Sequence, residues 1–314
     1  MDAMKVNSYA KLNLSLEITG VSGGYHMLDS FVCSIDLADT IRLKKRRDKL
    51  VNVFMHGLGS ESIPPEENAA VRAAEAFVRR YGVNGADITV FKDIPMGAGL
   101  GGSSADAAGV LGGMAELYGI NDPEGLKILA DASGSDTGYM LHGGFARMTG
   151  RGNEVWRLPA RRERLNFLLL CPRSPVSTGK CYARFDERKA PCTRMHTEEC
   201  IQAFLRGDYA GMAAAFYNAL YAPAKSLNDE VREAYESLLA FSPLGVCMSG
   251  SGSAVFAAFE TAELCEWAKS RYRGKARAYV VRSVDPEALA AERKKTKLRN
   301  PFVLSKEETE GKDV

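Results

Sequence analysis

The segment Pro95-Met96-Gly97-Ala98-Gly99-Leu100-Gly101-Gly102-Ser103-Ser104 constrains this chain more than any other. Glycines let backbone N–H groups turn toward an anion with no side chain in the way. A strand-like run, ADITVFKDI at 86–94, leads in, and an Ala-rich run leads out to Tyr118, where Gly119 stops it. The spacing predicts strand, loop and helix, with the helix opening at Ser103 or Ser104. A helix N-terminus supplies unpaired N–H groups and a positive dipole end, and the two serines add hydroxyls. The loop has the parts of a phosphate cradle. Gly97-x-Gly99-x-x-Gly102 also has the form of a dinucleotide fingerprint, which requires a further strand with an acidic end about twenty residues on. Asp122-Pro123 opens another helix there instead. No Gly-Lys-Ser/Thr closes the loop, so the P-loop pattern fails as well.

Other segments can be placed around this loop. Residues 7–19 alternate, with Leu12, Leu14, Leu16 and Ile18 on one side and Lys11, Asn13, Ser15 and Glu17 on the other. That predicts a strand with one buried face. Residues 31–43 read as a second strand and 68–81 as an amphipathic helix. Residues 143–158 read as a hairpin turning at Gly150-Arg151-Gly152-Asn153, and a short helix from Pro123 stops near Ser133-Gly134, just before Asp136. Past a boundary near 155–165 comes a strand at 166–171. Helices near 179–186, 197–206, 208–222 and 226–240 follow. A strand pair around Gly250–Gly252, a helix at 262–272, a strand at 276–283 and a helix at 285–297 complete the order. Without the extra helices this is β-α-β-β-α-β, a ferredoxin-like layout. The fold class expected is α+β in two domains, 1–160 and 161–298, with a polar tail at 299–314.

Composition excludes more than it selects. A chain of 314 residues is long for one core. A net charge of +2 marks neither an acidic protein nor a nucleic-acid binder, and Lys44–Arg47, Arg161–Arg164 and Arg293–Arg299 read as solvated basic clusters. No apolar run is long enough for a membrane helix, and the N-terminus lacks a signal-peptide pattern. The seven cysteines form no CxxC pair, which argues against a disulfide framework or a Cys-rich zinc site. The expectation is a cytoplasmic protein with reduced thiols, a monomer or homodimer, with no nucleic-acid or membrane partner and no dedicated metal ligands.

The loop PMGAGLGGSSADAA resembles the central motif of the GHMP kinases, the superfamily of galactokinase, homoserine kinase, mevalonate kinase and phosphomevalonate kinase. Ala10-Lys11-Leu12-Asn13-Leu14 and Gly250-Ser251-Gly252-Ser253-Ala254-Val255-Phe256 resemble its other two motifs, in the right order. Gly24-Tyr25-His26, Gly134-Ser135-Asp136 and Pro175-Val176-Ser177-Thr178 narrow the resemblance to the branch whose substrate is a cytidine diphosphate derivative. The resemblance implies a ribosomal-protein-like N-terminal domain, a ferredoxin-like C-terminal domain and an active site between them. It implies ATP with Mg2+ and a small-molecule alcohol as substrates.

By that resemblance Asp136 is the base that takes the hydroxyl proton and Lys11 its cationic partner. Residues 95–104 hold the phosphates. Asn13 faces the substrate, Tyr25 and His26 bind cytidine with Tyr182 opposite, and Thr178 contacts the diphosphate. Asn68 faces the adenine site. From pattern alone Asp136 and Asn68 read equally as helix N-caps, Lys11 as a strand lysine, and Ser249–Ser253 as a hairpin turn. Two stretches depart from the family pattern: Asp136-Thr137-Gly138 in place of Asp-Val-Pro, and Asn218-Ala219-Leu220-Tyr221 in place of Asn-Asp-Leu-Glu. A kinase for another alcohol (homoserine, mevalonate or a sugar) and a non-catalytic nucleotide sensor on the same scaffold stay open.

Overall fold

A computed structural model describes residues 2–161, 163–187 and 195–286. Residues 287–297 of the helix expected at 285–297, the tail at 299–314 and Cys192 lie outside these described residues. In the N-terminal part the order is β1 (Ala3–Asn13), β2 (Ser15–Ser22), β3 (Tyr25–Lys45), β4 (Asn52–His56), α1 (Ala69–Tyr81) and β5 (Ala86–Phe91). Then come α2 (Gly102–Tyr118), α3 (Pro123–Ser133), α4 (Thr137–Met140), β6 (Phe145–Gly150) and β7 (Glu154–Arg157). The second part runs β8 (Asn166–Cys171), α5 (Thr178–Asp186), α6 (His196–Arg206), α7 (Tyr209–Ala214), β9 (Tyr217–Asn218), α8 (Tyr221–Leu227) and α9 (Asp229–Leu239). It closes with β10 (Gly245–Met248), β11 (Val255–Phe259), α10 (Ala262–Arg271) and β12 (Arg277–Arg282).

The class is α+β, built on two sheets. β3 is the spine of the first: it pairs antiparallel with β1, β2, β5 and β6 along its 21 residues. Helices α1, α2 and α3 bury Phe77, Val110, Met114 and Leu129 against Ile41, Ile88 and Val90. Each such large side chain contributes about 2 kcal/mol on burial. The second sheet has the order β10-β11-β8-β12, all antiparallel, which is the ferredoxin-like arrangement. A shared core joins the sheets, where Leu12, Leu14 and Phe31 pack with Phe167, Phe204 and Phe256.

Two local expectations need correction. Residues 7–19 do not have one wet face, because Lys11, Asn13, Ser15 and Glu17 are all buried. Asn13, Ser15 and Glu17 find partners in the second half of the molecule, and Lys11 pairs with Asn13 and Asp136. Ser15 Oγ meets Thr197 Oγ1 at 2.9 Å, and the Glu17 carboxylate accepts from the His196 and Thr197 N–H groups that open α6. The helix expected at 208–222 is broken. Tyr217–Asn218 runs as a strand parallel to β2, with Ala219 N donating to Leu16 O at 2.9 Å. Pro223, which has no N–H to give, falls in the first turn of a new helix, α8.

Candidate active site

The phosphate loop leaves β5 and enters α2 with Gly97, Gly99 and Gly101 all at positive φ (65°, 77° and 73°). At Gly99 the need for glycine is twofold. L-residues avoid that φ, and a Cβ there would run into the Ser249 carbonyl. Alternating glycines turn the intervening side chains inward, so Ala98 and Leu100 are core residues. Their carbonyls are bound as well: Ala254 N donates to Ala98 O and Lys11 N to Leu100 O, both at 3.0 Å. The helix begins at Gly102, one residue before the expected serines, with Gly101 as its N-cap.

One cleft of about 680 Å3 opens beside this loop. Gly99, Gly101, Ser103 and Ser104 line it; Pro95, Met96, Gly97, Ala98, Leu100 and Gly102 do not. Lys11, Asn13 and Asp136 form another wall, and Tyr25, His26, Thr178 and Tyr182 the far end. Asn68 is placed elsewhere. It is buried at the N-cap of α1, where Oδ1 accepts from Ala70 N at 2.9 Å.

Lys11 Nζ lies 3.5 Å from Asp136 Oδ2 and also donates to Asn13 Oδ1. Asp136 stands at the N-cap position of α4, yet its side chain makes no capping bond. Its carboxylate therefore faces the ammonium and the cleft. Asn13 is held on every side: Nδ2 donates to Ser30 Oγ at 2.8 Å, and Oδ1 accepts from Gly250 N at 2.9 Å. Asn218 ties the same turn down from behind, donating to Met248 O at 2.6 Å and Gly250 O at 2.9 Å. The retained first residue of the altered Asn-Ala-Leu-Tyr stretch thus supports the turn. Tyr221, the last residue of that stretch, stacks on Tyr235 at 4.2 Å.

At the far end the His26 and Tyr182 rings lie 4.7 Å apart with 32° between their planes. His26 Nε2 is 2.7 Å from Asp186 Oδ1. Burial pushes the Tyr182 phenol up to about 12, so it stays neutral. Thr178 Oγ1 meets Ser251 Oγ at 2.9 Å, which joins α5 to the second Gly/Ser turn.

Sequence reasoning missed three residues here. Arg151, in the hairpin turn, places its guanidinium 3.6 Å over the Tyr25 ring and lines the cleft. Asp186 orients His26 from 160 residues away, a distance no local pattern can reveal. Thr137 carries a feature that no sequence pattern signals: its hydroxyl is fully buried with no hydrogen-bond partner among the described residues. No group of three or more His, Cys, Asp or Glu among the described residues could hold a metal ion.

A two-sheet fold with a glycine loop, a lysine and a carboxylate on one cleft defines a class, and comparison with known proteins names it. Residues 68–144 match the GHMP kinases N terminal domain and 200–271 the GHMP kinases C terminal domain. The chain is 37% identical over 260 residues to 4-diphosphocytidyl-2-C-methyl-D-erythritol kinase of Moorella thermoacetica, covering 82% of this chain and 90% of that one. It is 33% identical over 264 residues to the protein of that name from Alkaliphilus metalliredigens, covering 83% and 89%. A crystal structure of 4-(cytidine 5'-diphospho)-2C-methyl-D-erythritol kinase superposes with a TM-score of 0.72 at 30% identity, over 89% of this chain and 99% of that one. Mevalonate kinase of Methanococcus jannaschii, at 14% identity and a TM-score of 0.67 over 90% and 98%, shares the fold. This chain belongs to the 4-diphosphocytidyl-2-C-methyl-D-erythritol kinase family of the GHMP small-molecule kinases.

Proposed function

We propose that the protein transfers the γ-phosphoryl group of ATP to the 2-hydroxyl of 4-diphosphocytidyl-2-C-methyl-D-erythritol, a step of isoprenoid precursor synthesis. The observation that carries this reading is the Lys11–Asp136 pair, 3.5 Å apart on a wall shared with the phosphate loop. Phosphoryl transfer asks for positioning and charge stabilisation rather than covalent chemistry. Asp136 accepts the proton of the attacking hydroxyl. The Lys11 ammonium keeps that carboxylate oriented and offsets charge as it builds on the transferring group. Backbone N–H groups of 99–104 and the N-terminus of α2 hold the ATP phosphates. His26, Tyr25 and Tyr182 take the cytosine ring, and Thr178 with Ser251 closes on the diphosphate.

Mg2+ enters with the nucleotide. Such an ion keeps most of its waters and is bound chiefly by phosphate oxygens, which fits a cleft offering one carboxylate and serine hydroxyls. The cytoplasm supplies ATP and keeps thiols reduced, and the cysteines among the described residues are free and buried.

The test follows ADP release with Mg-ATP and each of four acceptors: the cytidine-linked alcohol, mevalonate, homoserine and galactose. Turnover restricted to the first, and lost by orders of magnitude in Asp136→Asn, is the expected result. Equal turnover of an acceptor lacking cytidine would sink the substrate assignment. ATP binding with no turnover on any acceptor would sink the enzyme reading.

A further inference from the structure

Behind the phosphate loop lies a buried ion cluster that the chemistry above does not use. The Lys92 ammonium donates to Asp39 Oδ2 and, at 2.6 Å, to Asp106 Oδ2. All three residues are almost fully buried. Asp39 accepts at its other oxygen from Asp93 N at 2.7 Å and Ile94 N at 2.9 Å. Asp106 Oδ1 is buried with no hydrogen-bond partner among the described residues.

The placement of these groups is specific. Lys92 and Ile94 are the last residues before the loop, and Asp106 is in the second turn of α2, the helix that the loop enters. Asp39 belongs to β3, the spine of the sheet. A Cβ on Gly102 would lie 3.5 Å from Lys92 Nζ, so the ammonium abuts the first residue of α2. The loop between these ends has three glycines at positive φ and little stiffness of its own. Ala254 N and Lys11 N hold the Ala98 and Leu100 carbonyls in its middle, and the ion cluster holds its two ends. Burying charge is a poor way to gain stability, since a well-packed apolar replacement is often as stable or more so. What a chain of charged hydrogen bonds adds is fixed direction and distance.

We propose that Asp106 is a positioning residue for the phosphate loop, holding through Lys92 and Asp39 the span between the loop's two ends and so setting the affinity for the triphosphate. This rests on the kinase reading given above. Backbone donors grip phosphate only at hydrogen-bond distance, and a shift of about 1 Å in either end of the loop moves several of them at once.

The experiment compares the native enzyme with Asp106→Ala, Asp106→Asn and Val110→Ala. It measures Mg-ATP binding by calorimetry, KM for both substrates, kcat and melting temperature. Val110 lies one helical turn further along α2 and is fully buried, so its truncation loosens the same helix without touching the cluster. Asp106→Ala is expected to weaken Mg-ATP binding about tenfold with KM for the alcohol unchanged. Asp106→Asn keeps an acceptor for Lys92 and restores binding to within about threefold. Val110→Ala lowers the melting temperature but leaves ATP affinity as it was. Asp106→Ser carries the same expectation as the alanine variant should that one fail to fold. Native-like ATP affinity in Asp106→Ala or Asp106→Ser overturns the positioning role, as does an equal loss in Val110→Ala. A native protein that does not bind Mg-ATP overturns the kinase reading itself, a different result from either of these.

Discussion

Lys11 Nζ stands 3.5 Å from Asp136 Oδ2, and the two side chains differ in exposure, 6% against 30%. The lysine is locked in place by Asn13, while the carboxylate keeps one side toward the cleft. On the function proposed above, the two act as a unit. Asp136→Asn and Lys11→Met are each expected to lower kcat by about 10²–10³-fold, with KM for ATP little changed. The double variant is expected to be no worse than the poorer single one. Single-turnover rates check this; losses that multiply would mean that the two residues act independently.

The far end of the cleft makes a separate prediction. His26 lies against Tyr182 and its Nε2 is 2.7 Å from Asp186 Oδ1; on the function proposed above, this ring pair receives the planar base. Stacking of one base is worth about 1–3 kcal/mol. Tyr182→Leu is expected to raise KM for the cytidine-linked alcohol by about tenfold or more and to leave kcat and KM for ATP alone. Asp186→Ala should act the same way more weakly. A fall in kcat without a change in KM would remove the platform role.

Thr137 follows Asp136 at the start of α4, and its buried hydroxyl has no partner among the described residues. An unpaired buried hydroxyl costs about 1 kcal/mol or more. Thr137→Val is isosteric and removes that cost, so the melting temperature should rise by about 2 °C with kcat unchanged. A drop in melting temperature would show that the hydroxyl is satisfied in solution.

Burial pushes the Asp106 carboxyl from 3.8 up to about 7; Lys92 pulls it back down and Asp39 adds to the rise. Between those two values the folded protein holds a proton that the unfolded chain has released. The stability this confers is complete below about pH 4 and is lost as the pH rises through about 7. Denaturant midpoints measured from pH 5 to pH 8 should fall further for the native protein than for Asp106→Asn, which cannot titrate. Parallel curves would exclude Asp106 as the source.

Much of the site was legible because its signals are local. Gly97, Gly99 and Gly101 sit where the backbone needs positive φ, and Asp122-Pro123 caps α3 as its side chain implies. The helix at 68–81 followed from its apolar spacing, which α1 reproduces from Ala69. Asn68 makes the cap that the pattern equally allowed, its side-chain oxygen accepting from Ala70 N. The alternation at 7–19 gave the strand its two faces but not their fates. A row of Lys, Asn, Ser and Glu reads as solvent-facing until the partners on α6 and the Ser249–Gly250 turn are in view.

By itself the sequence determined the pieces: a glycine loop between strand and helix, a lysine beside an asparagine on one strand face, and an aspartate opening a short helix. Each rests on backbone geometry or on periodicity, which act over a few residues. Tertiary structure alone decided which polar side chains meet. Lys11 finds Asp136, His26 finds Asp186, and Lys92 gathers Asp39 and Asp106, over separations from 14 to 160 residues. Contact depends on distance in space: packing of helices on the first sheet sets it for the lysine pairs, and packing of the two halves around one core sets it for His26 and Asp186.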